Sequence, residues 1–165
     1  MKTKYIFLYC LLFICNAVTA QKVITGAEQM DRLLPILKGK RVALVVNQTS
    51  KVGETHLLDT LLAAHIQIKK VFAPEHGFRG DADAGETIRN GKDTRTGIPI
   101  LSLYGKNKKP TATQLQDIDL IVFDIQDVGA RFYTYISTMQ YVMEAWHPHQ
   151  RFHLILTNPA ACLLV

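Results

Sequence analysis

The stretch Arg41-Val-Ala-Leu-Val-Val46 decides the fold, because its apolar residues run without a break. An unbroken aliphatic run of this length is typical of a strand that is covered on both faces, as in a parallel sheet. Similar strands are predicted at Ile66 to Phe72 and Asp119 to Phe123, and shorter ones at Ile98 to Tyr104 and Arg151 to Leu156. Strands of this kind alternating with helices predict an α/β fold, with a Rossmann-like, mainly parallel sheet and helices on both faces.

The helices are indicated by capping residues and by apolar spacing. Thr25-x-x-Glu28 reads as a capping box that opens a short helix, which Pro35 bends or ends. Thr55 is the predicted cap of a second helix, and a weak helical turn is expected at Gln114 to Asp117. A longer helix is predicted from Arg131 to Trp146. Its expected apolar face consists of Phe132, Tyr135, Ile136, Met139, Met143 and Trp146, at spacings of three and four.

Polar residues follow the predicted strands at the points where they end. Asn47, Glu75, Tyr104, Asp124 and Gln126 each come after a strand. In open α/β sheets, ligands bind outside the carboxyl ends of the strands. The sequence therefore predicts a ligand site at that edge of the sheet.

One of these strand ends carries a carboxylate, an imidazole and a guanidinium group within five residues. They lie in the stretch Pro74-Glu75-His76-Gly77-Phe78-Arg79-Gly80. Glu75 is expected in a partly apolar pocket beside Phe78, which suits a general acid in glycoside hydrolysis. Asp124 and Asp127 are the candidates for a second carboxyl group. An ordinary polar turn is the alternative for the whole stretch, and a helix cap is the alternative for Asp127.

Cationic and aromatic side chains near these carboxylates fit a sugar acid. Arg79 and Arg131 are expected to hold a substrate carboxylate through paired hydrogen bonds. Tyr104 and Tyr133 are expected to stack on a sugar or bond to it. For Tyr135, which lies on the apolar stripe of the last helix, core packing is the favoured interpretation.

Other site signatures are missing from the sequence. There is no G-x-G-x-x-G after a strand, no P-loop and no G-x-S-x-G nucleophile elbow. His147-Pro-His149 lacks a third ligand at a recognisable spacing, so no metal site is predicted. The net charge is +5, and Lys106, Lys108 and Lys109 form the densest basic run, which favours a solvated loop over nucleic-acid binding.

The first twenty residues have the features of a secretory signal peptide. Lys2 and Lys4 precede an apolar segment from Tyr5 to Cys15, and Val18-Thr19-Ala20 supplies the small residues of a cleavage site. The apolar segment is too short for a membrane anchor. Export to the periplasm or beyond the cell is therefore expected. Cleavage would leave Cys162 as the one remaining cysteine, which excludes an intrachain disulfide.

Two long motifs carry a family resemblance. Residues 74–80 and the stretch Asp124-Ile-Gln126-Asp127-Val-Gly129-Ala-Arg131-Phe-Tyr133-Thr-Tyr135 resemble a bacterial family of exo-acting β-N-acetylmuramidases of the NamZ type, as does Asn47-Gln48-Thr49. The resemblance covers nearly all of residues 23–156. It implies removal of terminal N-acetylmuramic acid from the non-reducing ends of peptidoglycan fragments, with Glu75 at the position of the proposed catalytic glutamate. It implies no metal or organic cofactor.

The site is therefore expected to combine three carboxyl groups with polar substrate contacts. Glu75, Asp124 and Asp127 are the candidate catalytic residues. The lactyl carboxylate of N-acetylmuramic acid would suit Arg79 or Arg131. The candidate substrate-binding residues are Asn47, His76, Arg79, Gln126, Arg131 and Tyr133. Peptidoglycan-derived glycans that contain N-acetylmuramyl-N-acetylglucosamine are the expected partners, and both inversion and retention stay open.

The end of the chain departs from the family pattern. Family members continue with an Asp-Arg-Pro-Asn-Pro-like turn and a second domain, whereas here only Asn158-Pro159 is kept before a short apolar tail. We expect residues 21–165 to form one Rossmann-like catalytic domain without that second domain. A non-catalytic sugar-binding remnant and a small-ligand module of another function are the alternatives.

Overall fold

The computed structural model describes residues 24–75, 77–80, 90–130, 132–146 and 153–157. Several predictions lie outside the described residues. These are the signal peptide and its cysteines, the site residues His76 and Arg131, the His147-Pro-His149 pair, and the sequence after Thr157.

A six-stranded sheet forms the centre of the molecule, in the order β5-β6-β4-β1-β7-β8. Every neighbouring pair is parallel except β5 with β6 at one edge. A separate antiparallel hairpin joins β2 to β3. The strands are β1 (Val42–Val46), β2 (Lys51–Val52), β3 (Thr55–His56), β4 (Ile68–Ala73), β5 (Gly91–Lys92), β6 (Pro99–Ser102), β7 (Leu120–Asp124) and β8 (His153–Leu156).

The chain changes direction across the sheet at β1. From β1 it proceeds to β4 and β6 on one side, and it then returns to β7 and β8 on the other side. The point between β1 and β7, where Val46 lies opposite Asp124, is therefore the topological switch point, the usual ligand crevice of such sheets. The predicted α/β fold with a mainly parallel sheet is confirmed.

Helices cover both faces of the sheet. Because successive side chains of a strand point to opposite faces, each strand contributes residues to two buried clusters. Leu44 and Val46 pack with α1 (Met30–Leu37) and α2 (Leu57–Ala63) in one buried cluster. Ala43 and Val45 pack with α3 (Ala112–Leu115) and α4 (Tyr135–Trp146) in the other. All five residues of β1 are buried. Each fully buried Val or Leu stabilises the fold by about 1.5–3 kcal/mol relative to exposure.

The first helix differs from its prediction in two ways. The Thr25 and Glu28 capping box forms, but it closes a turn, and α1 begins only at Met30. Pro35 was predicted to bend or end the helix; it lies inside the helix, which continues to Leu37, so ending the helix is the wrong alternative. Leu33 and Leu37 are both buried on the core side, and this burial holds the last turn despite the missing N–H of the proline.

The predicted cap of the second helix is wrong by one residue. Thr55 lies in β3 opposite Val52, so its backbone is committed to the hairpin. His56 is the N-cap instead, and its Nδ1 accepts a hydrogen bond of 3.2 Å from the Leu58 N–H. Because Nδ1 is an acceptor, Nε2 carries the proton and donates to the Asn47 carbonyl at 3.0 Å.

The last helix is shorter than predicted and presents a different face to the core. It begins at Tyr135, and its buried residues are Tyr135, Thr138, Met139, Val142 and Trp146. Phe132, Ile136 and Met143 are exposed, by 84%, 38% and 47% respectively. The apolar residues cover more than one stripe of the helix, and only the stripe that contacts the sheet is buried.

The described residues show neither a membrane-spanning helix nor a metal-binding cluster. In the described ranges, no helix has the length and apolar content that a membrane crossing requires. The same residues contain no group of three or more His, Cys, Asp or Glu side chains placed to hold a metal ion.

Candidate functional site

The polar residues that follow the strands meet at one edge of the sheet, as predicted. Asn47 follows β1, Glu75 follows β4, Tyr104 follows β6 and Gln126 follows β7. These strands are parallel neighbours, so their carboxyl ends point to the same side of the sheet. The site is built on strand ends that the buried sheet holds in place.

Glu75 stands at the start of a sharp turn after β4. The Gly77 N–H donates to the Pro74 carbonyl at 3.1 Å, and Gly77 has a φ of 77°, which favours glycine. Phe78 then returns into the core, where its ring packs edge-on against His56 with the ring centroids 4.6 Å apart. The turn therefore leaves Glu75 partly exposed at the sheet edge while its continuation is anchored in the core.

A cavity of about 140 Å³ opens beside Glu75. At roughly 30 Å³ for each water in the liquid, this volume corresponds to about five water molecules. The Tyr104 and Thr134 hydroxyls interact with the Glu75 carboxylate, the latter at 3.4 Å. The apolar wall of the cavity is Leu103 rather than Phe78, so the predicted neighbour of Glu75 is wrong although the partly apolar pocket is present.

Asn47 organises the turn after β1 and connects it to the segment after β7. Its Oδ1 accepts from the Thr49 N–H at 3.0 Å and from the Thr49 hydroxyl at 2.6 Å. Thr49 Oγ1 in turn accepts a bond of 3.1 Å from the backbone N–H of Gln126, whose side chain is exposed. The Asn47 Nδ2 is buried and lacks a hydrogen-bond partner among the described residues, so a donor is left over at the switch point.

Tyr133 and Tyr135, just before and at the start of α4, lie next to the turn after β1. Tyr135 is buried in the core, and burial raises the pKa of its phenol, while the nearby Asn47 amide acts in the opposite direction without reaching hydrogen-bond geometry. Glu75 and Asp127 are within electrostatic range of the same phenol. Tyr133 is 39% exposed, and its ring lies 6.0 Å from that of Tyr135. Tyr135 therefore packs in the core as predicted, and its hydroxyl also faces the candidate site.

Asp124 is buried at the end of β7, with 3% of its surface exposed. Its carboxyl group accepts a hydrogen bond of 2.7 Å from the Thr157 hydroxyl, and its backbone carbonyl accepts one from Ser50. Burial raises the pKa of Asp124 to about 6. The carboxyl group faces the protein interior, so this geometry does not support its predicted contact with a substrate.

Asp127 forms a turn and does not cap the helix. Its Oδ1 accepts a hydrogen bond of 2.7 Å from the Gly129 N–H, whereas α4 begins only at Tyr135. The helix-cap interpretation is therefore wrong. Asp127 Oδ2 is buried without a hydrogen-bond partner in the described part of the chain. An acceptor is thus left over near the switch point, which suits a ligand hydroxyl or amide.

Arg79 is occupied by two carboxylates of the chain itself. Its guanidinium bonds to Asp93 at 3.0 and 3.0 Å and to Asp59 at 3.0 and 2.9 Å. These bonds lower the pKa of Asp93 to about 2. The predicted role of Arg79 in holding a substrate carboxylate does not fit this geometry, because its donors clamp the loop after β4 to α2.

The structure adds cavity residues that the sequence interpretation did not select. Lys108, Thr134, Ser137 and Tyr141 line the cavity beside Glu75. Thr134, Ser137 and Tyr141 are spaced by three and four residues, so a search for polar stripes on the last helix would have found them. Lys108 had no such signal, because it lies in a loop.

The chain is similar to proteins of a known family. The sequence model described as "Exo-beta-N-acetylmuramidase NamZ, N-terminal" matches residues 42–163. The peptidoglycan beta-N-acetylmuramidase NamZ of Bacillus subtilis is 45% identical over 144 residues, which are 84% of this chain and 34% of that protein.

Two solved structures are also similar to this chain. A DUF1343 family protein from Bacteroides fragilis superimposes with a TM-score of 0.70 and 42% identity over 83% of this chain and 35% of its own. A second one from the same organism gives a TM-score of 0.70 and 40% identity over 81% and 33%. This chain spans about a third of the length of these relatives. It belongs to the NamZ exo-β-N-acetylmuramidase family and corresponds to the N-terminal domain of that family.

Proposed function

We propose that this chain supplies the catalytic half of an exo-acting β-N-acetylmuramidase, with Glu75 as the residue that transfers the proton to the glycosidic oxygen. The substrate is a peptidoglycan fragment that carries N-acetylmuramic acid at its non-reducing end, such as N-acetylmuramyl-N-acetylglucosamine. The observation that carries the proposal is the position of Glu75, which lines a cavity at the carboxyl edge of the sheet.

The contacts of the Glu75 carboxylate support this role. Tyr104 follows β6 and Thr134 precedes α4, and both hydroxyls interact with the carboxylate. Two contacts from different directions restrict the rotamers of a side chain that is otherwise partly exposed. General acids need this fixed geometry, because proton transfer requires hydrogen-bond reach to the leaving oxygen. A hydroxyl also accepts as well as donates, so the contacts persist when Glu75 is protonated.

Polar groups near the switch point support binding of an acetamido sugar. Asn47 Nδ2 is an unused donor and Asp127 Oδ2 an unused acceptor in the described structure. Buried polar atoms of this kind normally find partners. An N-acetyl group carries one carbonyl acceptor and one N–H donor, which would satisfy both. Gln126 and Tyr133 are exposed beside them, and we include them in the sugar-binding surface.

The cellular setting follows from the substrate. Peptidoglycan lies outside the cytoplasmic membrane, and residues 1–20 have the pattern of an export signal. We therefore propose that the chain acts in the periplasm or outside the cell, in turnover or recycling of the cell wall.

A second candidate function is sugar binding without hydrolysis. The observation that favours it is that Glu75 is the one carboxylate among the described residues that line the cavity, whereas glycoside hydrolysis generally uses two.

The test is release of N-acetylmuramic acid from N-acetylmuramyl-N-acetylglucosamine by the parent chain, Glu75→Gln and Glu54→Gln. Glu54 is an exposed glutamate in the β2–β3 hairpin and serves as the matched control. Glu75→Gln should lower turnover by about 100-fold or more, since general acid catalysis contributes on the order of 10²–10⁴. Circular dichroism establishes that the variants are folded. Full turnover by a folded Glu75→Gln chain would refute the assignment, and a folded parent that binds the disaccharide without cleaving it would favour the second function.

A further inference from the structure

Lys108 lines the same cavity as Glu75, from the loop after β6. Its side chain is exposed at the rim, and it forms no salt bridge with a described residue. Among the described residues that line this cavity, it is the one Lys or Arg. The cavity therefore pairs one carboxylate with one available ammonium group.

The neighbouring residues keep Lys108 over the cavity. Lys109 forms an ion pair with Glu144 of α4 at 3.1 Å, which ties the loop to the helix. Pro110 is buried at the end of the loop, and Gly105 at its start has a φ of 72°. The predicted solvated loop agrees with the structure, in which Lys106, Lys108 and Lys109 are all exposed. Lys109 in addition pairs with Glu144, and Lys108 lines the cavity.

Arg79 is the other described residue that was expected to bind a substrate carboxylate, and its donors are already used within the chain. Arg79 bonds to Asp59 and Asp93 through both edges of its guanidinium group, and its side chain is only 15% exposed. A substrate carboxylate would have to displace two buried carboxylates to reach it. Lys108 needs no such exchange.

We propose that Lys108 binds the lactyl carboxylate of the terminal N-acetylmuramic acid and thereby selects this sugar over N-acetylglucosamine. The inference rests on the proposed function, and it names the residue that recognises the acidic substituent. Ser137 and Tyr141 line the same cavity and supply hydroxyl donors to a carboxylate held there. Charge-assisted hydrogen bonds of this kind are about twice as strong as neutral ones.

A different role for Lys108 is to act on Glu75 through its charge alone. In that case its removal would change the pH profile of turnover and would affect acidic and neutral ligands equally. Recognition of the lactyl group instead makes the effect depend on the charge of the ligand. The two roles are therefore separated by comparing ligands that differ only in that charge.

The experiment measures binding of N-acetylmuramic acid and of its lactyl methyl ester by isothermal titration calorimetry, which needs no turnover. The parent chain should bind the acid about tenfold more tightly than the ester, the effect of one charge-assisted hydrogen bond. Lys108→Ala should abolish this preference, and Lys108→Arg should retain most of it. Lys106→Ala is the control, because Lys106 is exposed on the same loop and does not line the cavity.

Each outcome decides the inference separately from the proposed function. A preference for the acid that disappears in Lys108→Ala supports it, whether or not the chain hydrolyses the disaccharide. It is overturned by a preference that survives in Lys108→Ala, by equal weakening of both ligands, or by a parent chain that binds the acid no better than the ester. Turnover with no acid preference would leave the proposed function standing and remove the role of Lys108.

Discussion

The Tyr104 hydroxyl interacts with the Glu75 carboxylate, and the two residues follow the neighbouring parallel strands β6 and β4. This interaction raises the pKa of the Tyr104 phenol, because ionisation would place two negative charges side by side. Tyr104 therefore stays a protonated donor across the physiological pH range. Its position, one residue after the buried Leu103, makes it a fixed point against which the Glu75 side chain is oriented.

Tyr104→Phe should lower turnover of the disaccharide by about tenfold with little change in stability. The substitution keeps the ring and removes the hydroxyl that contacts the carboxylate, and a hydrogen bond to a charged group contributes about 1.5 kcal/mol. Steady-state kinetics on the disaccharide measure the turnover, and urea unfolding measures the stability.

A double variant separates positioning from general damage to the site. If Tyr104 acts through Glu75, Tyr104→Phe should have no further effect on the residual turnover of Glu75→Gln. Additive losses in the double variant would contradict the positioning role.

Replacing Arg79 by lysine should destabilise the fold although the charge is kept. A lysine cannot reproduce the two bidentate contacts with Asp59 and Asp93, which are 18% and 4% exposed. Loss of one partner from a buried ion pair costs about 3–5 kcal/mol, and the partial exposure of Asp59 places this case near the lower end. Urea unfolding followed by circular dichroism gives the free energy of unfolding.

Arg95→Ala is the matched control for this comparison. Arg95 lies 3.7 Å from the same Asp59, but its side chain is 66% exposed. An exposed pair of this geometry contributes about 0–1 kcal/mol, so the control should unfold close to the parent. A larger loss in Arg95→Ala than in Arg79→Lys, which keeps the charge, would show that total charge around Asp59, and not the clamp, sets the stability.

The sheet could be predicted from the sequence because its signals are local. The unbroken apolar run of β1 and its polar end at Asn47 already imply a covered parallel strand with a ligand edge. The motif around Glu75 likewise lies within a few consecutive residues. Features of this kind need no knowledge of which residues come together from elsewhere in the chain.

The parts that could not be predicted depend on contacts between distant segments. Asp59 and Asp93 lie 20 and 14 residues from Arg79, and nothing local in the sequence shows that they occupy its guanidinium group. His56 became a helix cap because the hairpin takes Thr55, a competition that capping patterns alone do not resolve. Asp124 was selected as catalytic because strand ends usually face the ligand, yet tertiary packing turned its carboxyl group inward.

Asp124→Asn should stabilise the protein above neutral pH, although it removes a group that was predicted to be catalytic. Burial raises the pKa of Asp124 from 3.8 to about 6, so the folded state binds a proton that the unfolded state has released. The stability that this group provides is complete below pH 3.8 and is lost as the pH rises through 6. At 1.36 kcal/mol per pKa unit, the loss is about 3 kcal/mol, which a neutral asparagine avoids. Urea unfolding from pH 4 to 8 measures it.

Replacing Asp119, just before the other end of β7, by asparagine should change the stability in the opposite direction. Asp119 bonds to the Arg41 side chain at 3.0 and 2.7 Å, which lowers the pKa of Asp119 to about 2. Asp119→Asn should therefore destabilise the chain at pH 7, where Asp124→Asn stabilises it.

If Asp124→Asn were no more stable than the parent at pH 8, the buried carboxyl group would have to be compensated by a partner other than the Thr157 hydroxyl. A gain that grows with pH, with turnover retained, would assign Asp124 to the scaffold of the site rather than to its chemistry.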